Sequence, residues 1–137
     1  MTIQVQVVAP AFIHQIWDKV EPYFDAAELA GSDDCTTCQL KLQLVSGAQT
    51  LLVAATGLEI HGAAALSVQT LPNHRVATIT AMGGKGIVDK EVFEQVVVWA
   101  KSQGATKIRA WAKDAQARLY QQKAGLITTM NVVEKLI

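Results

Sequence analysis

The strongest constraint in this chain is a stretch in which a strand pattern runs into glycines and then into an amphipathic helix. Arg75 to Met82 reads as a central strand, and Gly83-Gly84-Lys85-Gly86 ends it. Val92, Phe93, Val96, Val97, Trp99 and Ala100 follow on one broad helical face, with Asp89 as candidate N-cap, Lys101 in the last turn and Gly104 just past the end. Lys107 to Ala112 then alternates Ile108, Ala110 and Ala112 with Lys107, Arg109 and Trp111, as a second strand does. A strand, helix, strand unit of this kind lays its two strands parallel. The expected fold class is therefore α/β (α+β), a mixed central sheet with helices on both faces.

The rest of the chain supplies an antiparallel meander. Val5 and Val7 mark a first strand, after which Pro10 opens a helix with Phe12, Ile13, Ile16, Trp17 and Val20 at helical spacing, ending near Pro22. Asp33 to Val45 carries two patterns. Leu40, Leu42 and Leu44 alternate like a strand, whereas Cys35, Cys38, Leu42 and Val45 fit a short helix capped by Asp33 or Asp34 and stopped by Gly47, and the helix is the expected form. Thr50 to Thr56 and Ile60 to Thr70 pair as a hairpin across the Gly57-Leu58-Glu59 turn, and Leu71-Pro72-Asn73-His74 turns the chain into the central strand. Ala115 to Lys123 is a last helix before Gly125, and Ile127 to Ile137 reads as a terminal strand. Trp17, Trp99 and Trp111 fall on faces that pack helices on the sheet and read as core.

Size and charge narrow what such a domain does. At 137 residues the chain fits one domain, residues 1–137, with room for a real core. Twelve basic residues balance twelve acidic ones, so nothing attracts the whole chain to a phosphate backbone or an anionic membrane, and neither nucleic acid nor membrane is an expected partner. The first residues alternate without a basic leader, and the uncharged run Leu42 to Leu58 is too polar and too short to span a bilayer. A cytoplasmic location follows as an expectation. Cys35 and Cys38 form a Cys-x-x-Cys without a second pair, with His14, His61 and His74 scattered; beside Asp33 and Asp34 they read as structural or incidental cysteines, and no metal site is expected. Half the residues are hydrophobic, and Leu126 to Val133 is an uncharged stretch at an expected sheet edge, which points to a C2 homodimer.

The order of elements resembles the GNAT superfamily of N-acetyltransferases, and the likeness covers nearly the whole chain. Leu51-Leu52-Val53-Ala54, Ile60-His61-Gly62-Ala63-Ala64, the Gly83-Gly84 loop, Trp99 to Ala105 and Glu134-Lys135-Leu136 resemble small GNAT-like proteins of bacteriophages and prophages in particular. The resemblance implies an acyl-CoA-dependent N-acetyltransferase that takes acetyl-CoA (or CoA) and an amine acceptor, either a small molecule or a protein. It also implies that the strand ending near Met82 splays from the strand at Lys107 to Ala112. In the superfamily a Gln/Arg-x-x-Gly-x-Gly/Ala loop holds the pyrophosphate on backbone amides at a helix start, where glycine permits close approach and free N–H groups attract anions.

In this chain Gly84 and Gly86 take the two glycine positions, so Met82, Gly83, Gly84, Lys85 and Gly86 form the candidate cofactor site; Ala81 stands where Gln or Arg is expected, and Lys85 offers a compensating charge. Asp89, as a cap, would compete for the same amides. Arg118-Leu119-Tyr120 resembles the segment carrying the family's general acid, which makes Tyr120 the candidate catalytic residue, although it lies five residues before Gly125 where the usual pattern has four. Arg75 to Met82 contains no histidine or carboxylate for a base, and Glu59 and His61 are the nearest alternatives. The second reading is a GNAT-like domain without chemistry, a binding or assembly module such as a virion-associated or regulatory phage protein.

Overall fold

In the computed structural model, which describes residues 2–30 and 33–137, five strands form one sheet in the order β1-β2-β3-β4-β5. These are β1 (Gln4–Val8), β2 (Thr50–Thr56), β3 (Glu59–Thr70), β4 (Arg75–Gly84) and β5 (Lys107–Ala110). The first four pair antiparallel, and β4 pairs β5 parallel, as the crossover through α3 (Lys90–Ser102) requires. The remaining helices are α1 (Ile13–Ala30), α2 (Thr37–Ser46) and α4 (Asp114–Ala124).

Strand alternation divides the core between the two faces of the sheet. Leu51, Val53, Ala63 and Ala65 face α1 and α2, where Trp17, Val20, Phe24, Leu40 and Leu44 cover them. Leu52, Ala54, Ala64, Leu66, Ala77 and Ile79 face the other way, against Phe93 and Val96 of α3. Both sides of β2 and β3 are buried, which explains why those strands read as continuous apolar runs.

Several local expectations are corrected. The first helix does not end near Pro22 but runs through it to Ala30. Proline in a helix interior costs about 3 kcal/mol, and here Ile13, Trp17, Val20 and Phe24, all buried on one face, hold the helix to the sheet on both sides of it. Asp33 and Asp34 do not cap α2. Thr36 does, in a reciprocal box: its hydroxyl accepts from Gln39 N at 3.2 Å, and its own N–H donates to Gln39 Oε1 at 2.9 Å. Leu40 and Leu44 are buried while Leu42 is exposed, so helical spacing won over the alternation. Trp111 is not core: it is 59% exposed. Finally, the terminal strand expected over Ile127 to Ile137 is absent, and residues 125–137 follow α4 without regular structure or a place in the sheet.

Candidate functional site

The parallel pair is short. Val76, Ala77, Thr78 and Ile79 match Lys107, Ile108, Arg109 and Ala110, after which β4 continues to Gly84 with its β5 side unpaired. A bulge helps the two part. Ala65 pairs with Ala81 and Leu66 with Ile79, which leaves Thr80 as the extra residue, its hydroxyl bonded to Gln49 and 3.2 Å from the carbonyl of Ala65. The splay therefore opens at the carboxyl ends of the two parallel strands, the place where open α/β sheets receive ligands.

At the end of β4 the glycines are held for a reason that has nothing to do with a ligand. A Cβ on Gly83 would stand 2.4 Å from the carbonyl oxygen of Tyr23, and one on Gly84 would stand 2.4 Å from both Gly62 Cα and His61 O. Gly84 also has φ of +109°. These two residues let β4 close on α1 and β3. Gly86 is different: with φ of +78°, its added Cβ would meet only Asp89 Oδ2 at 3.4 Å and Ile3 Cδ1 at 3.8 Å. The loop from Lys85 to Asp89 then enters α3, whose first-turn amides have no partners within the helix.

Asp89 occupies the N-cap position by its backbone, its carbonyl accepting from Phe93 N at 2.8 Å, but its carboxylate does not cap. It pairs instead with Lys123 Nζ at 3.1 Å, so the expected competition for the helix amides does not arise. That ion pair ties α4 to the glycine loop. Lys85 is exposed in the same loop.

Tyr120 and Met82 pack against the same core cluster on the α3 side of the sheet, together with Val88 and Ala124. The Tyr120 ring is thus turned toward the core. Its hydroxyl makes no hydrogen bond among the described residues, and burial alone pushes its pKa up to about 12. Neither alternative base converges on the loop by its side chain. Glu59 is exposed at the hairpin turn; His61 sits at a β2–β3 register shift, its ring Nε2 bonded to Thr56 Oγ1, and it approaches Gly84 through its carbonyl.

Two features were not foreseen from the sequence. Arg109 lies over the Trp111 ring at 5.9 Å, and both stand where β5 leaves the sheet. The alternation of Lys107, Arg109 and Trp111 against Ile108 and Ala110 was the available signal. The Lys123–Asp89 pair spans too much chain to be read from spacing. As for the cysteines, both are free, and the Cys35 thiol is pushed up by burial first and then by the charges of Glu28 and Asp34. No cluster of three metal-ligating side chains occurs among the described residues. No helix among them is long and apolar enough to cross a membrane.

No protein-family model matches the sequence, and no curated protein does. Solved structures do match its shape. A GNAT family acetyltransferase of Staphylococcus aureus subsp. aureus USA300_TCH1516 superposes with a TM-score of 0.68 at 12% identity over 100% of both chains. The ribosomal-protein-alanine N-acetyltransferase of Brucella melitensis biovar Abortus 2308 gives 0.68 at 10% identity over 99% of both. Aminoglycoside N-acetyltransferase AAC(6')-Iy, solved with CoA, gives 0.70 at 11% identity over 98% of this chain and 94% of that one. The chain has the mixed α/β fold of the GNAT acetyltransferases.

Proposed function

We propose that the protein binds CoA compounds in the splay between β4 and β5 and transfers an acetyl group to an amine. The observation that carries this reading is the junction of three features at one place: the parting of the parallel strands after Ile79 and Ala110, the Lys85 to Asp89 loop, and the start of α3. Acetyl-CoA, when bound, supplies the activated acyl group. The chain supplies backbone N–H groups near Gly86 and the positive charge of Lys85 for its phosphates. Gly83 and Gly84 contribute by placing that loop, and Met82 by packing in the wall beside it.

The resemblance to the superfamily assigns Tyr120 a role at the departing sulfur, although its ring packs toward the core. A phenol held near 12 remains protonated at every physiological pH, yet it is a reluctant donor to a thiolate whose acid form titrates around 8.5. Tyr120 therefore stabilises the sulfur by a hydrogen bond, and the attacking amine itself is the source of the proton. With no histidine or carboxylate on β4, positioning does most of the work. The names of the similar enzymes include an aminoglycoside and a protein alanine as acceptors, so the acceptor class spans small-molecule and protein amines.

That same absence of a base, together with the engagement of the His61 ring by Thr56, favours a second reading in which the site binds a CoA compound without turnover, as an assembly or regulatory module would. One experiment separates the outcomes. Calorimetry and thermal unfolding with acetyl-CoA are expected to show binding to the wild type. Lys85→Glu, at an exposed side chain that leaves the fold intact, should weaken it about tenfold by reversing one partly screened charge. Binding without acetyl release in the presence of diverse amines selects the second reading. No binding at millimolar acetyl-CoA overturns both.

A further inference from the structure

On the face packed by α1 and α2, the apolar cover of the sheet stops short of β5. It takes in Leu51, Val53, Ala63, Ala65 and Ala81, and no residue of the last strand. Beyond that limit, on the same face by strand alternation, Ser67, Thr78 and Arg109 form a row across β3, β4 and β5: Ser67 is matched to Thr78, and Thr78 to Arg109. All are half-buried, and none makes a side-chain hydrogen bond or ion pair among the described residues. The row borders the splay, since Ile79 and Ala110 are the last matched pair before the strands part.

The charge along this row is one-sided. β4 and β5 contain no carboxylate, and the one in β3, Glu59, lies at that strand's far end. Lys107 adds a second cation on the face of Arg109. A guanidinium presents its N–H donors in a fixed planar fork and has no acceptor, so a half-buried one without an acidic partner is matched by an oxyanion arriving from outside. The 5.9 Å contact with the exposed Trp111 ring uses the face of the guanidinium and not its donors, which lie in its plane. The Lys85 to Asp89 loop, by contrast, leads into α3 on the opposite face of the sheet. A ligand on Arg109 and a CoA compound on that loop therefore reach the gap from opposite sides and do not exclude one another.

From these observations we infer that the amine acceptor carries an anionic group, a carboxylate or a phosphate. Arg109 binds this oxyanion beside Trp111, with Thr78 and Ser67 as hydroxyl donors along the row. The inference rests on the reading of the splay as an acetyl-transfer site and gives its acceptor a chemical class. An amine with no anion leaves the fork unmatched, and a polycationic amine is repelled by Arg109 and Lys107.

The test is calorimetry on the full chain, first with acetyl-CoA alone and then with amines in the presence of CoA, so that no turnover is needed. The probes are ω-amino carboxylates of increasing length, O-phosphoethanolamine and, as the control without an anion, n-butylamine. The anionic amines should bind about tenfold more tightly than n-butylamine, the worth of one charge-assisted hydrogen bond. Either anion supports the inference, and the tighter one identifies the group. Arg109→Gln should abolish the preference, and Arg109→Lys, which keeps the charge and loses the fork, should recover only part of it. In the wild type the anionic amines should also shift the Arg109 Nε–Hε resonance and n-butylamine should not, a comparison that needs no variant. Equal binding of amines with and without an anion, no amine binding at millimolar concentration, or a preference that survives Arg109→Gln overturns the inference and leaves the cofactor reading standing. Loss of acetyl-CoA affinity in Arg109→Gln assigns the residue to the cofactor and overturns the inference as well. A wild type that binds no acetyl-CoA overturns the proposed function, and the acceptor role of Arg109 with it.

Discussion

Tyr120 is the residue whose chemistry is most open to measurement. If it donates a hydrogen bond to the departing sulfur, Tyr120→Phe should lower kcat about 10- to 100-fold, the worth of one hydrogen bond to a charged group, and leave acetyl-CoA affinity unchanged. A core role alone would leave kcat unmoved. The same side chain has a signature in stability. Its folded pKa lies near 12, above the ordinary phenol value of 10.0. The unfolded chain therefore loses this proton first as pH rises, and the stability that Tyr120 contributes is complete below about pH 10 and lost progressively up to about pH 12. Alkaline unfolding followed in wild type and Tyr120→Phe should show this component in the wild type alone.

At the scale of elements, the glycine loop separates residues the fold needs from residues a ligand would need. Gly84→Ala sets a Cβ 2.4 Å from backbone atoms of β3 at φ of +109°, and should destabilise by about 2 to 4 kcal/mol through overpacking and strain together. Gly86→Ala meets no atom closer than 3.4 Å and should cost only about 1 to 2 kcal/mol, from its positive φ. Denaturant melts of the two variants check the order. This distinction was not legible in the sequence, because the atoms that confine Gly83 and Gly84 belong to Tyr23 and His61, distant in the chain. By contrast, α3 was legible throughout, since its apolar stripe and Gly104 fix it locally. Trp111 was misjudged because its apolar character outweighed its place in the alternation with Lys107 and Arg109. The expected terminal strand failed for a different reason: alternation reports that a segment is able to pair, and whether an edge is within its reach is a property of the fold.

For the molecule as a whole, the sheet's exposure at its edges is governed from outside the sheet. Gln95→Ala removes the side chain that satisfies Ile3 O and Val5 N, and should cost about 1 to 3 kcal/mol while opening a second edge. Aggregation on mild heating, absent in the wild type and scored by turbidity, is the expected result. The wedged glycines carry a further consequence, one of inheritance. A descendant of this chain that had abandoned its ligand would still be selected to keep small residues at 83 and 84, because without them β4 could not close on α1 and β3. The pattern that suggests a nucleotide-type cradle would thus outlive the cradle's use, like a doorway kept because it holds up the wall. Lys85 and Gly86, on which the packing leans much less, would be free to drift. Among descendants, variation at 85 and 86 set against constancy at 83 and 84 would date the loss of binding, and joint constancy would mark a site still in service.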